Sequence, residues 1–135
     1  MKATGTFSVT SFVPTEVVPD PTISTALPVG VAIITKEFGG EITGRSSTLF
    51  TAAFDQNTGV GTYVAMESFE GTLNGAEGTF NFSHLATTTG SDRTDEFFTI
   101  VPSSGTGALT GITGTGGLRA DTDGTHHIWF DYELG

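Results

Sequence analysis

Glu67 and His84 are the two residues of this chain whose types and placement could move a proton. They flank Asn74-Gly75, the strongest short-range signal for a type I′ hairpin turn. With those two residues at the tip, Leu73 pairs with Ala76. Phe69 then faces Phe80, Glu67 faces Phe82 and Ala65 faces His84. Residues two apart share a face of a strand, so Tyr63, Glu67 and Phe69 lie with Phe80, Phe82 and His84. Glu67 and His84 become diagonal neighbours, about 7–8 Å apart, within reach of long side chains. A bulge at Gly78 would break this register. On an inward, apolar face the Glu67 carboxylate is desolvated, and a neighbouring imidazole can share its proton. Such a pair can serve as general acid and base. The chemistry would be proton donation to, and removal from, an apolar substrate, giving cyclisation or double-bond migration. The alternative is a satisfied hydrogen bond that fixes two strands. If Glu67 serves function, Glu67→Gln is expected to leave folding nearly intact.

If that face lines an interior, Tyr63, Phe69, Phe80 and Phe82 are substrate-binding positions. The last strand adds His126, Phe130 and Tyr132, which share one face, while His127, Trp129 and Asp131 share the other. Adjacent His126 and His127 therefore cannot chelate one ion. Zinc needs three or four converging ligands, and no metal or other cofactor is expected. Arg45 and Arg119 each follow a Gly-rich corner. They read as carboxylate anchors or as plain surface pairs with acids. Asp121-Thr-Asp123-Gly124 lacks the bidentate Glu of a calcium loop and reads as a turn. No nucleophile elbow and no His-Glu-x-x-His motif is present.

Strands must position these groups. Period-2 alternation recurs over residues 2–12, 31–38, 41–53, 60–71, 78–88, 95–102, 108–119 and 124–134, and no segment keeps a helical period. Eight sequential strands with short turns predict one all-β domain over 1–135, an antiparallel up-and-down barrel able to hold side chains or one small ligand. A β-sandwich is the alternative. Residues 13–30 hold four of the five prolines and read as a loop, either a lid or a connector. A Gly-x-x-x-Gly pattern recurs at Gly40, Gly71 and Gly107. These glycines are expected at hairpin corners and bulges. A phosphate-binding loop would need a following helix.

Composition narrows the partners. The formal net charge is −10, which disfavours nucleic acid and anionic membranes. Cysteine is absent, so disulfide and thiol chemistry are excluded. The opening residues lack the apolar stretch of a signal peptide, and no run approaches a membrane span. A cytoplasmic location is the expectation.

Several motifs carry a resemblance. They are the opening Lys2-Ala-Thr-Gly-Thr-Phe7; Glu67 followed by Gly71-Thr-Leu-Asn-Gly75-Ala-Glu-Gly78-Thr-Phe80 and His84; Val101-Pro-Ser-Ser-Gly105-Thr-Gly-Ala-Leu109; and the closing Asp131-Tyr-Glu-Leu134. Over nearly the whole chain these resemble a bacterial family of domains of unknown function, and that family looks like a small barrel of the allene oxide cyclase, or calycin, type. The Gly-rich hairpins are also similar to dirigent proteins. The resemblance implies an interior that binds a small apolar molecule and steers cyclisation or isomerisation without a cofactor. It also implies a homo-oligomer, with a dimer favoured. Non-catalytic carriage, or an assembly barrel filled by its own side chains, are the competing functions. Between residues 13 and 30 this chain is richer in Pro than the family's usual pattern, so a shared lid does not carry over.

Overall fold

The computed structural model describes residues 1–90 and 92–135. Alternating apolar residues and β-branched Thr, Val and Ile favour pleated strands, and eight form: β1 (Lys2–Pro14), β2 (Val29–Gly40), β3 (Ile42–Asp55), β4 (Val60–Leu73), β5 (Ala76–Thr89), β6 (Arg93–Ile100), β7 (Thr113–Ala120) and β8 (His126–Glu133). They make one antiparallel sheet in the order β6-β5-β4-β3-β2-β1-β8-β7. Each strand neighbours its successor, and β8 returns to β1. The ends β6 and β7 lie side by side without a ladder between them among the described residues. The result is a nearly closed barrel rather than a sandwich. At this seam β7 carries Gly116, where an added Cβ would come within 2.8 Å of the Phe98 ring on β6.

The β4–β5 hairpin turns through Asn74 (φ 50°) and Gly75 (φ 84°), the two positive values that a type I′ turn demands. Its ladder runs unbroken, with Phe69 opposite Phe80, Glu67 opposite Phe82 and Gly71 opposite Gly78. No bulge interrupts it.

One expected strand starts late. Residues 108–112 do not continue the sheet: Gly107–Leu109 form a 3₁₀ turn, and β7 begins at Thr113. The reason is a plug. Leu109 and Ile112, both 0% exposed, enter the end of the barrel. Thr106 bonds back to Thr79 through its main chain and its hydroxyl. The third glycine motif therefore shapes this plug instead of a hairpin corner.

The interior is divided along its length. At the plugged end Phe69, Phe80, Phe82, Phe98 and Phe130 pack on one another, with Phe80, Phe82 and Phe98 all 5.2–5.7 Å from the Phe130 ring. At the other end small inward residues, Gly30, Ala32, Ala52, Gly61, Ala65 and Ala86, leave space between the larger Phe50, Phe54 and Tyr63. Residues 15–28 connect β1 to β2 across that end as a largely exposed loop, pinned by Thr15, whose N–H and hydroxyl both donate to the carbonyl of Val31. No helix among the described residues is long and apolar enough to cross a membrane.

Candidate active site

Between the packed end and the open end lies a layer of polar side chains. The continuous β4–β5 register turns Glu67 and His84 inward, and His84 Nε2 stands 2.5 Å from Glu67 Oε2. Two further strands contribute. Lys36 on β2 follows Ala32 and Ile34 on the inward parity, and its Nζ donates to Glu67 Oε2 at 2.7 Å. Ser46 on β3 donates its hydroxyl to Glu67 Oε1 at 2.8 Å. Glu67 is 0% exposed and Lys36 6%. A carboxylate this deep survives only with such partners. Thr48, opposite Glu67 on β3, is also buried, and its hydroxyl has no partner.

These contacts fix protonation. Burial pushes the Glu67 carboxyl up, but the His84 hydrogen bond and the Lys36 ammonium outweigh it and hold the group down at about 2. Burial holds the His84 imidazole below its ordinary value, against the opposing pull of Glu67. An ionised carboxylate only accepts, so Nε2 of the neutral imidazole carries the hydrogen and Nδ1 is an acceptor. Tyr63 fills that acceptor: its hydroxyl lies 2.9 Å from Nδ1 and donates to it. Burial raises the Tyr63 phenol, while Arg93 opposes the rise. Arg93 Nη2 donates to the Tyr63 oxygen at 2.6 Å, and its Nε donates to Glu96 at 2.8 Å. A carboxylate–imidazole–hydroxyl series, Glu67–His84–Tyr63, therefore runs from the buried layer toward the open end. Such a series passes a proton from the hydroxyl to the imidazole while the carboxylate stabilises the imidazolium.

Tyr63 also belongs to the open end. It helps line a pocket of about 420 Å³ whose wall includes Phe12, Pro14, Ala32, Phe50, Ala52 and Phe54, together with Gly30 and Thr88. Phe50 stacks on the Tyr63 ring at 5.2 Å. The lining is largely apolar with few polar groups, the usual character of a small-molecule site.

The other sequence-derived positions fall elsewhere. Phe69, Phe80, Phe82, Phe130 and Tyr132 are 0–3% exposed in the packed end and do not wall this pocket. Their rings fill the space that a ligand would need. The Tyr132 hydroxyl accepts from Asn74 at the plugged end. His126 is exposed and stacks on Phe7 at 5.1 Å. Arg45 pairs with Glu70 on the outer surface. Arg119 and His127 both meet Asp121. No group of three or more His, Asp or Glu residues that could hold a metal exists among the described residues. Sequence reasoning passed over Lys36, Ser46 and Arg93. Strand parity alone points Lys36 and Ser46 inward. Arg93 gives no such signal, because a register shift between Leu85 and Thr87 sets its height on β6.

Comparison with known proteins finds a matching family and similar solved structures. A family model described as "Protein of unknown function (DUF3224)" matches residues 3–132. The crystal structure of a DUF3224 protein of unknown function from Shewanella oneidensis MR-1 superposes with a TM-score of 0.85 at 30% identity, covering 100% of this chain and 98% of that one. No curated protein matches.

Proposed function

The chain belongs to the DUF3224 family, and on that premise we propose that the barrel binds a small, largely apolar molecule in its open end and exchanges a proton with it through Tyr63. The observation that carries this reading is the double position of Tyr63, which lines the pocket and hydrogen-bonds His84. The phenol oxygen already accepts from Arg93 and gives its hydrogen to His84, so one lone pair is left for a ligand. A ligand X–H donates its proton to that oxygen as the Tyr63 proton moves to Nδ1. The products are a ligand anion and an imidazolium beside the Glu67 carboxylate. Return of the proton to a different ligand atom completes an isomerisation or a ring closure with no cofactor. In this scheme Tyr63 meets the ligand, His84 takes its proton and Glu67 stays ionised, in place of Glu67 and His84 acting on the ligand directly.

Carriage without chemistry is the second reading. It is favoured by the saturation of Glu67, whose two oxygens hold three donors. Native mass spectrometry of freshly purified protein, wild type beside Tyr63→Phe, tests both readings. A retained small molecule in each supports the pocket. Conversion of that molecule by the wild type alone supports proton transfer, and conversion by neither supports carriage.

A further inference from the structure

The outer surface of β2–β5 has no charge over four successive cross-strand rows. The outward rows Val31–Thr51–Val64–Leu85 and Ile33–Leu49–Met66–Ser83 lie side by side, extended by Val13 on β1 and Phe97 on β6. Leu49 is 60% exposed, Val64 49%, Met66 48% and Ile33 43%. A row of Val29, Ala53, Thr62 and Thr87 borders them on one side, and Thr35, Ser47, Ser68 and Asn81 on the other. Charge begins with the row Glu37–Arg45–Glu70 at one border and with Asp55, opposite Val60, at the other. These strands are paired on both sides, so the face offers side chains and not a free backbone edge.

We propose that this face is an isologous dimer interface, its occupant a second copy of the same chain. Four strands about 4.8 Å apart and four rows about 6.8 Å apart cover about 500 Å². That is the greater part of the roughly 800 Å² each partner contributes to a standard interface, and a rim supplies the rest. Charge selects the occupant. Each copy carries −10, so two copies approach at least cost where neither presents a carboxylate. In the bordering row Arg45 already pairs with Glu70 of its own chain, which limits like-charge repulsion between two copies across a twofold axis. An anionic lipid surface fits poorly, since only five basic residues exist, Lys36 is internal and Arg45 and Arg93 are already paired.

The test is sedimentation equilibrium of the full chain, with Leu49→Glu and Met66→Glu as variants and circular dichroism as the check on folding. The wild type is expected at twice 14.0 kDa at about 50 μM, an ordinary range for a moderate interface. Added salt should tighten it by screening like charges. Each exposed substitution should raise the dimer Kd at least a hundredfold, about 2.7 kcal/mol, and leave the strand spectrum unchanged. A monomeric wild type overturns the proposal, whether or not lipid vesicles then capture it. So does a dimer that survives both substitutions, because another face then holds it. Should one variant misfold, the other decides.

Discussion

The hydroxyl of Tyr63 meets Nδ1 of His84 at 2.9 Å, at the level where the pocket ends and the buried polar layer begins. Both residues face inward from adjacent strands, but they are not directly opposite: Ala65 pairs with His84, and Tyr63 with Ala86. The phenol thus leans one layer down the barrel to reach the imidazole. This contact joins a ligand-sized space to a carboxylate that solvent does not reach.

Tyr63→Phe removes the contact and keeps the ring. The loss of two hydrogen bonds, to His84 and from Arg93, should cost about 1–3 kcal/mol, because Nδ1 is left without a donor. Ligand retention should persist, through the Phe50 stack, and any turnover should fall at least a hundredfold. Urea melts and turnover of the retained ligand check both. Unchanged turnover would remove Tyr63 from the chemistry.

Glu67→Gln has a different meaning once Lys36 is in view. The substitution leaves the Lys36 ammonium buried without a counter-charge, at a cost of about 3–5 kcal/mol. A large loss of stability therefore does not decide against function, contrary to the expectation from sequence. Combining Glu67→Gln with Lys36→Met removes both charges and should restore most of the loss. Denaturant melts of the two single variants and the double measure the coupling. An additive double variant would contradict the ion pair.

Stability should fall on the acid side in two stages. His84 is held below its ordinary value of 6.5, so below that pH the unfolded chain binds protons that the folded chain refuses. Glu67 is held at about 2 against an ordinary 4.5, so its contribution is present above pH 4.5 and is lost as pH falls toward 2. The Glu67 stage amounts to about 3 kcal/mol. Urea melts from pH 7 to pH 3 should show a steady decline, and the first stage should vanish in His84→Gln. A rise in stability over pH 6.5 to 5 would contradict the neutral imidazole.

Gly44→Ala should destabilise sharply. Its φ is +125°, and an added Cβ would sit 2.1 Å from the carbonyl oxygen of Glu70 and 2.6 Å from the Cα of Gly71. Moving backbone at that crossing should cost more than about 2 kcal/mol. A thermal melt within a degree of wild type would show that β3 and β4 approach less closely there.

The sequence made the hairpin register legible because Asn74-Gly75 demands one turn geometry, and that register alone brings Glu67 and His84 together. Lys36 shares the parity of Ala32, Ile34 and Phe38. Its partner needs the β2–β3–β4 register, which no local signal supplies. Arg93 reaches Tyr63 across a strand through the irregular stretch around Asp95 (φ 53°), beyond any simple period. The filled end was hidden for a similar reason. Residues 108–112 alternate as a strand would, yet Gly107 (φ 60°) and Gly111 (φ 82°) turn them into a plug, and five of the proposed ligand-binding side chains pack behind it.

The most direct test of the account is uptake of a neutral apolar fluorophore by wild type and by Gly30→Phe. Gly30 lines the pocket, and a Cβ there meets nothing within 4 Å, so a large side chain can fill the space without moving the backbone. The account predicts saturable uptake by the wild type, and loss of uptake in Gly30→Phe with no loss of thermal stability. Equal uptake by both proteins, or none by the wild type, would contradict an open end that holds a small molecule.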